Sequence, residues 1–225
     1  MPSPRDFSSE RAISAEKSGR PRPIWIALLP IVALVLWWSR PRALTTTSER
    51  EDAERRTCLD NLQRISRAFA QYAQDFDGKY PRGVDAEDRF NPNLWREPRR
   101  GAYHAVAQSA PLLPDLLRPY LSDRAVWRCP SDNGFARSNL PIAGSSLTNV
   151  FPSAFQRYGL SYSYFTIHGF AEMRAAEVDD PGGRALLFDS HMWHSSGGRP
   201  TINVLFGDGH TQNVTPDLFV QLSYG

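Results

Sequence analysis

"INVLFGDGH", residues 202–210, is an apolar run that stops at Gly-Asp-Gly-His. Ile202, Val204 and Phe206 alternate with Asn203 and Leu205, which predicts a strand buried on at least one face. The Asp208-Gly209 step is a hairpin signal, because a two-residue turn requires positive φ and glycine adopts it without steric cost. "TQNVT" (211–215) is then the returning strand. "LSYSYFTI" (160–167) and "RALLFDS" (184–190) read as two further strands, and "PDLFVQLSY" as a short closing helix. "SSGGRPT" (195–201) has the look of a lengthened hairpin loop.

Upstream the period changes. Leu59, Leu62, Ile65, Phe69, Tyr72 and Phe76 recur every three or four residues between polar positions, so residues 43–76 are expected to be an amphipathic helix. Gly78 and Pro81 in "DGKYP" end it. Residues 82–110 show little periodicity and read as a surface loop with some local structure. "LLPDLLRPYL" (112–121) suggests a short helix, and "AVWRCPSD" (125–132) leads into a strand-like piece. A long helix followed by a small antiparallel sheet is an α+β plan.

Charge is distributed unevenly. Of 26 basic and 24 acidic residues, eight and four fall in residues 1–50, leaving eighteen and twenty for the remainder. The body of the chain is thus near neutral, with no basic stripe for a phosphate backbone, and nucleic-acid binding is not expected.

"PIWIALLPIVALVLWW" (23–38) contains no charged side chain. As a helix it spans ~24 Å, somewhat less than a hydrocarbon core of ~30 Å. Trp25, Trp37 and Trp38 suit the two interfaces, and Arg22, Arg40 and Arg42 can snorkel. Residues 23–39 are therefore expected to be an uncleaved transmembrane anchor, preceded by a disordered tail (1–22) and followed by an exported domain (43–225). Five basic residues precede the anchor (Arg5, Arg11, Lys17, Arg20 and Arg22) and Arg40 and Arg42 follow it. That excess places the N-terminus in the cytoplasm and the domain outside it, the chain crossing the inner membrane once. Cys58 and Cys129 are an even count that one bridge would satisfy in an exported domain, two buried thiols being the alternative.

Several stretches, taken in order, carry a resemblance. "CLDNLQRISRAFAQYAQDFDGKYP" (58–81), "WRCPSD" (127–132), "SYSYF" (161–165), "LLFDS" (186–190) and "NVLFGDGH" (203–210) resemble pseudopilin-like bacterial envelope proteins that carry a prepilin-type processing-associated H-x9-D-G motif. In this chain the motif residues are His194, Asp208, Gly209 and His210, with thirteen residues between His194 and Asp208 rather than nine. The resemblance implies a pilin-like fold in which the membrane anchor continues into an amphipathic helix packed on a small antiparallel sheet. It also implies a mechanical or assembly role linked to type II secretion, with other pseudopilins or secretion components as partners and no catalytic residue. Gly19 is followed by Arg20-Pro21 and the anchor lacks a glutamate, so prepilin-peptidase processing is not expected.

Three chemistries compete beside this reading. Asp189 and Asp208 form an expected carboxylate pair for calcium, the one cofactor suggested, and "DFDG" (75–78) is a second calcium candidate, or a capped helix end. Asp189, His191, His194, Asp208 and His210 mix imidazole with carboxylate, as zinc enzymes do. His168, after an apolar strand, reads as a core or edge histidine. A solitary binding module could use Trp95, Tyr103, Trp127, Tyr162, Tyr164 and Trp193 as a recognition face, although such aromatics also build cores.

Overall fold

A computed structural model describes residues 46–91, 94, 101–142 and 147–224. The tail and the expected anchor lie outside the described residues, among which no helix is long and apolar enough to cross a membrane. Every described residue belongs to the unit that begins at Thr45.

Helix α1 (Thr47–Asp75) has its own start signal. The Thr46 hydroxyl accepts from the Glu49 backbone N–H, and the Glu49 carboxylate accepts from the Thr46 N–H, a reciprocal capping box. Thr46 itself is not helical, and α1 begins at Thr47. The helix expected over residues 43–76 is thus seen from Thr47, where the box satisfies amide groups that a first helical turn otherwise leaves unpaired, and the junction with the expected anchor lies outside the described residues.

The buried face of α1 comprises Cys58, Asn61, Leu62, Ile65, Ser66, Ala68, Phe69 and Tyr72. Its core stripe therefore starts at Cys58 rather than Leu59, and Phe76 is exposed, stacked on Tyr72 at 4.2 Å between ring centroids. At the helix end the Gly78 N–H reaches back to the Ala73 carbonyl at φ +78°. That geometry makes "DFDG" a capped terminus. Short helices come next along the chain: α2 (Ala86–Phe90), α3 (His104–Ser109) and α4 (Leu113–Leu116), then α5 (Ala154–Tyr158) and α6 (Ile167–Phe170), with α7 (Pro216–Tyr224) closing the chain.

All strand pairs among the described residues are antiparallel, which with α1 gives an α+β architecture. A small ribbon pairs β1 (Phe135–Arg137) with β2 (Thr148–Val150). The main sheet contains β3 (Tyr162–Tyr164), β4 (Ala185–Asp189), β5 (His194–Ser196), β6 (Arg199–Phe206) and β7 (Thr211–Val214). Eight-residue β6 is its spine, pairing with β4, β5 and β7. β5 and β6 meet through Gly197 and Gly198, both at positive φ, so the expected lengthened loop is a tight hairpin.

Along most of its length β6 is buried on both faces. Thr201, Asn203 and Leu205 alternate with Ile202, Val204 and Phe206, and all six are nearly inaccessible. Leu205 joins the core under α1, with Leu62, Ile65, Phe69 and Tyr164. Ile202, Val204 and Phe206 join a second core closed by Phe219 of α7. Helices thus cover both faces of the sheet. Strand alternation puts two polar residues of β6, Thr201 and Asn203, on the same face as Leu205, the side that α1 covers.

Candidate functional site

Cys58, Cys129, Asp189 and His194 meet beneath α1, each at most 4% exposed. Four separate pieces of local chemistry bring them there. Cys58 sits on the core stripe of α1 and is bridged to Cys129, with Cα atoms 5.1 Å apart. Cys129 is held by the turn that comes after it. The Asp132 N–H donates to the Cys129 carbonyl, and the buried Asp132 carboxylate accepts from the N–H groups of Gly134, Ala154 and Phe155 and from the Ser161 hydroxyl, at 2.7–3.1 Å. The Asn61 amide, on α1, donates to the Arg128 carbonyl at 2.9 Å, and Ser131 donates to Glu54 of the same helix at 2.8 Å.

Asp189 is the last residue of β4 and pairs in register with Tyr162 of β3. Its Oδ2 accepts from the Asn203 backbone N–H at 2.8 Å. His194 opens β5 opposite Thr201, with its Nε2 3.2 Å from Cys129 Sγ and 3.7 Å from Asp189 Oδ2.

Burial decides the electrostatics. It pushes the Asp189 carboxyl up to about 8, against the opposing pull of the Asn203 backbone and side-chain amides, while the Asp132 charge adds to the rise. Burial likewise lowers His194 to about 4; Arg55 lowers it further and Glu54 pulls it back. At neutral pH the two groups are therefore a carboxylic acid beside a neutral imidazole, not an ion pair. The Tyr162 phenol is raised well above its usual range by burial and by Asp189, with Asn61 offsetting part of the rise.

The sheet register separates the residues that the sequence had grouped. Phe188 faces Val204 and Ala185 faces Phe206, so Asp189 and Asp208 lie towards opposite ends of the β4–β6 pairing. At ~3.3 Å per residue the four steps along β4 alone are about 13 Å. The expected calcium pair of Asp189 and Asp208 does not form. Nor does the five-residue metalloenzyme cluster. His191 stacks on Phe135 with centroids 4.9 Å apart, and Asp208 with His210 occupies the far turn. The cluster resolves into two separate pairs, Asp189 with His194 and Asp208 with His210. Of the expected recognition face, Trp127, Tyr162 and Tyr164 are core residues, and Trp95 lies outside the described residues. His168 is buried, with its Nδ1 3.3 Å from Met173 Sδ, and burial lowers its pKa to about 4.

The far turn has a different construction from the two-residue hairpin expected. Phe206 and His210 close it through the Phe206 N–H and His210 carbonyl, and the Gly209 N–H donates to the Phe206 carbonyl at 2.9 Å. Gly209 alone takes positive φ, +89°. This is a three-residue loop with glycine in the left-handed position. Its Gly209 carbonyl accepts from Ser66 and Gln63 of α1, at 3.0 and 3.3 Å. Asp208 Oδ1 accepts from the His210 N–H at 3.0 Å and lies 2.6 Å from the ring Nδ1, while the ring stacks on Phe206. Burial would raise the Asp208 carboxyl, but these contacts and the His210 charge bring it below its usual value.

Several important side chains carried a signal that sequence reasoning did not use. Asp132 comes after Cys-Pro-Ser, a turn context. Asp85 and Asp88 in "DAED" are an N-cap and its third helical residue, inside a stretch read as a surface loop. The buried Asp85 carboxylate accepts from the Asp88 and Tyr164 N–H groups, and burial raises it to about 6 against those bonds. Comparison with known families, with curated proteins and with solved structures finds no match for this chain.

Proposed function

We propose that this chain is a membrane-anchored, pseudopilin-like structural or assembly protein of a bacterial cell envelope, linked to type II secretion, with its folded domain outside the cytoplasm. One observation carries the reading: the motifs behind the resemblance are joints that fasten α1 to the sheet. Cys58 of α1 is bridged to Cys129 of "WRCPSD", whose Asp132 accepts from Ser161 of "SYSYF". Tyr164 of that stretch donates to the Pro81 carbonyl of "DGKYP". The Gly209 carbonyl of "NVLFGDGH" accepts from Ser66 and Gln63 of the helix. A sequence pattern spent on joints suits a part that transmits or bears load. The reading assigns no catalysis, and its partners are the membrane and other pilin-like subunits.

Topology and assembly test it together. A reporter that works only outside the cytoplasm, fused after Gly225, is expected to be active in the membrane fraction. Photocrosslinkers placed at the exposed α1 positions Arg56 and Arg67 are expected to capture pilin-like subunits. A reporter active only in the cytoplasm, or crosslinks to no envelope protein, overturns the proposal.

A further inference from the structure

The cluster beneath α1 holds more polar groups than its hydrogen bonds account for. Asp189 Oδ1, Tyr162 Oη, Thr201 Oγ1 and Asn203 Nδ2 are all buried without a well-formed hydrogen bond, although the Asn203 amide stands close enough to Asp189, and the Asn61 amide to Tyr162, to act on them electrostatically. Buried polar atoms are rarely left so; Tyr162 and Thr201 pair in register with Asp189 and His194, and of the four atoms the Asp189 carboxyl oxygen is the one a cation would satisfy. The donor atoms of Cys58, Cys129, Asp189 and His194 all lie within 4.8 Å of one another. Two sulfurs, an imidazole nitrogen and a carboxylate oxygen are a four-coordinate set suited to zinc.

We propose that the reduced form of this protein binds one zinc ion through Cys58, Cys129, His194 and Asp189, so that the same four residues are a disulfide site when oxidised and a metal site when reduced. The distances support a tetrahedron. Bonds of ~2.3 Å to sulfur and ~2.0 Å to nitrogen or oxygen give edges of roughly 3.3–3.8 Å between donors. Cys129 Sγ to His194 Nε2 is 3.2 Å and His194 Nε2 to Asp189 Oδ2 is 3.7 Å. Opening the bridge lets the two sulfurs part to the remaining edge.

The chemistry balances. A dithiol reductant gives two electrons and two protons to the Cys58–Cys129 bond and is itself oxidised to a disulfide. Zinc then takes the place of three protons, two from the thiols and one from the Asp189 carboxyl, which go to solvent. Asn203 would orient the carboxylate through its backbone N–H, already 2.8 Å from Asp189 Oδ2. The inference stands independently of the envelope role, since it concerns the domain's interior alone.

Cobalt(II) reports the ligand set directly. Full-length protein in detergent micelles is reduced with a phosphine, freed of metal and titrated with cobalt. One equivalent is expected to produce thiolate-to-metal charge transfer and the intense visible bands of a tetrahedral site, and zinc should displace it. The oxidised protein should show neither. His194→Ala and Asp189→Asn, each verified as folded while oxidised, should weaken cobalt binding about tenfold or more, and His194→Cys should restore it with added thiolate absorption. The proposal is overturned if reduced folded protein gives no such spectrum, or if the His194 and Asp189 variants bind cobalt like the parent. Reduced protein that unfolds and that zinc fails to refold overturns it equally.

Discussion

At one end of β6, Asp208 Oδ1 lies 2.6 Å from His210 Nδ1, with both side chains 42% exposed. Towards the other end, Asp189 Oδ2 lies 3.7 Å from His194 Nε2, with both side chains almost inaccessible. The residue types are the same and the consequences opposite. In the wet turn the carboxyl is held below its usual value by its hydrogen bonds and by the histidine. In the dry site burial raises the acid to about 8 and lowers the base to about 4, so proximity yields a neutral pair. Distance alone does not make an ion pair, because solvation sets the cost of each charge.

The largest effect that would break this contrast is at the bridge. Replacing both cysteines, Cys58→Ala with Cys129→Ala, frees a loop closed across 71 positions. On the chain-entropy account this costs about 4 kcal/mol of stability. Denaturant unfolding measures it, and a loss under about 1 kcal/mol would mean that the dry site is held together without the bridge.

Next in size is a pH effect confined to the dry end of the oxidised protein. An unfolded chain ionises Asp189 near 3.8, whereas the folded protein keeps that proton up to about 8. The folded state therefore binds more protons across this interval, and stability falls as pH rises, levelling above 8. His194 works in the other direction: the unfolded chain gains its proton below 6.5 and the folded protein only near 4, so stability falls as pH drops between them. Between pH 6.5 and 8 the Asp189 loss stands without the histidine's, amounting to about 2 kcal/mol. Asp189→Asn should flatten that slope. Parallel stability curves for variant and parent over this range would refute the assignment.

The smallest effects belong to the wet turn. Gly209→Ala forces a side chain into φ +89° and brings a Cβ within 2.8 Å of Ser66 Oγ, for a loss of about 1–2 kcal/mol. Asp208→Asn keeps an oxygen able to accept from the His210 N–H and should change stability by less than about 0.5 kcal/mol. Thermal melts of the two variants side by side would sharpen the contrast, and an Asp208→Asn loss equal to that of Gly209→Ala would show that the turn depends on charge.

The elements of this fold were largely readable because their signals are local. The period of three and four from Leu62 to Tyr72, the alternation through Ile202–Phe206 and the apolar run at Ala185–Asp189 each declare themselves within a dozen residues. β5, at three residues, is too short to show a period. The site was readable only in its parts. Asp189 and His194 were singled out, but so were Asp208, His191 and His210, and which of them meet depends on the β4–β6 register. That register is fixed by packing against both α1 and α7 rather than by any residue nearby in sequence. The partnership of Cys58 and Cys129 with Asp189 and His194 joins three distant segments, and no spacing rule announces it.

The bridge turns part of this chain into a covalent ring running from Cys58 to Cys129. A single backbone cut anywhere within that ring opens it without releasing a fragment, because the two pieces stay joined through sulfur. The second half of α1 and helices α2 to α4 all lie inside it. A protease that clips an exposed position there leaves one species on a non-reducing gel and two after reduction. A cut beyond Cys129 has no such insurance, and the main sheet, which lies wholly in that later part, must then rely on its packing alone to stay attached.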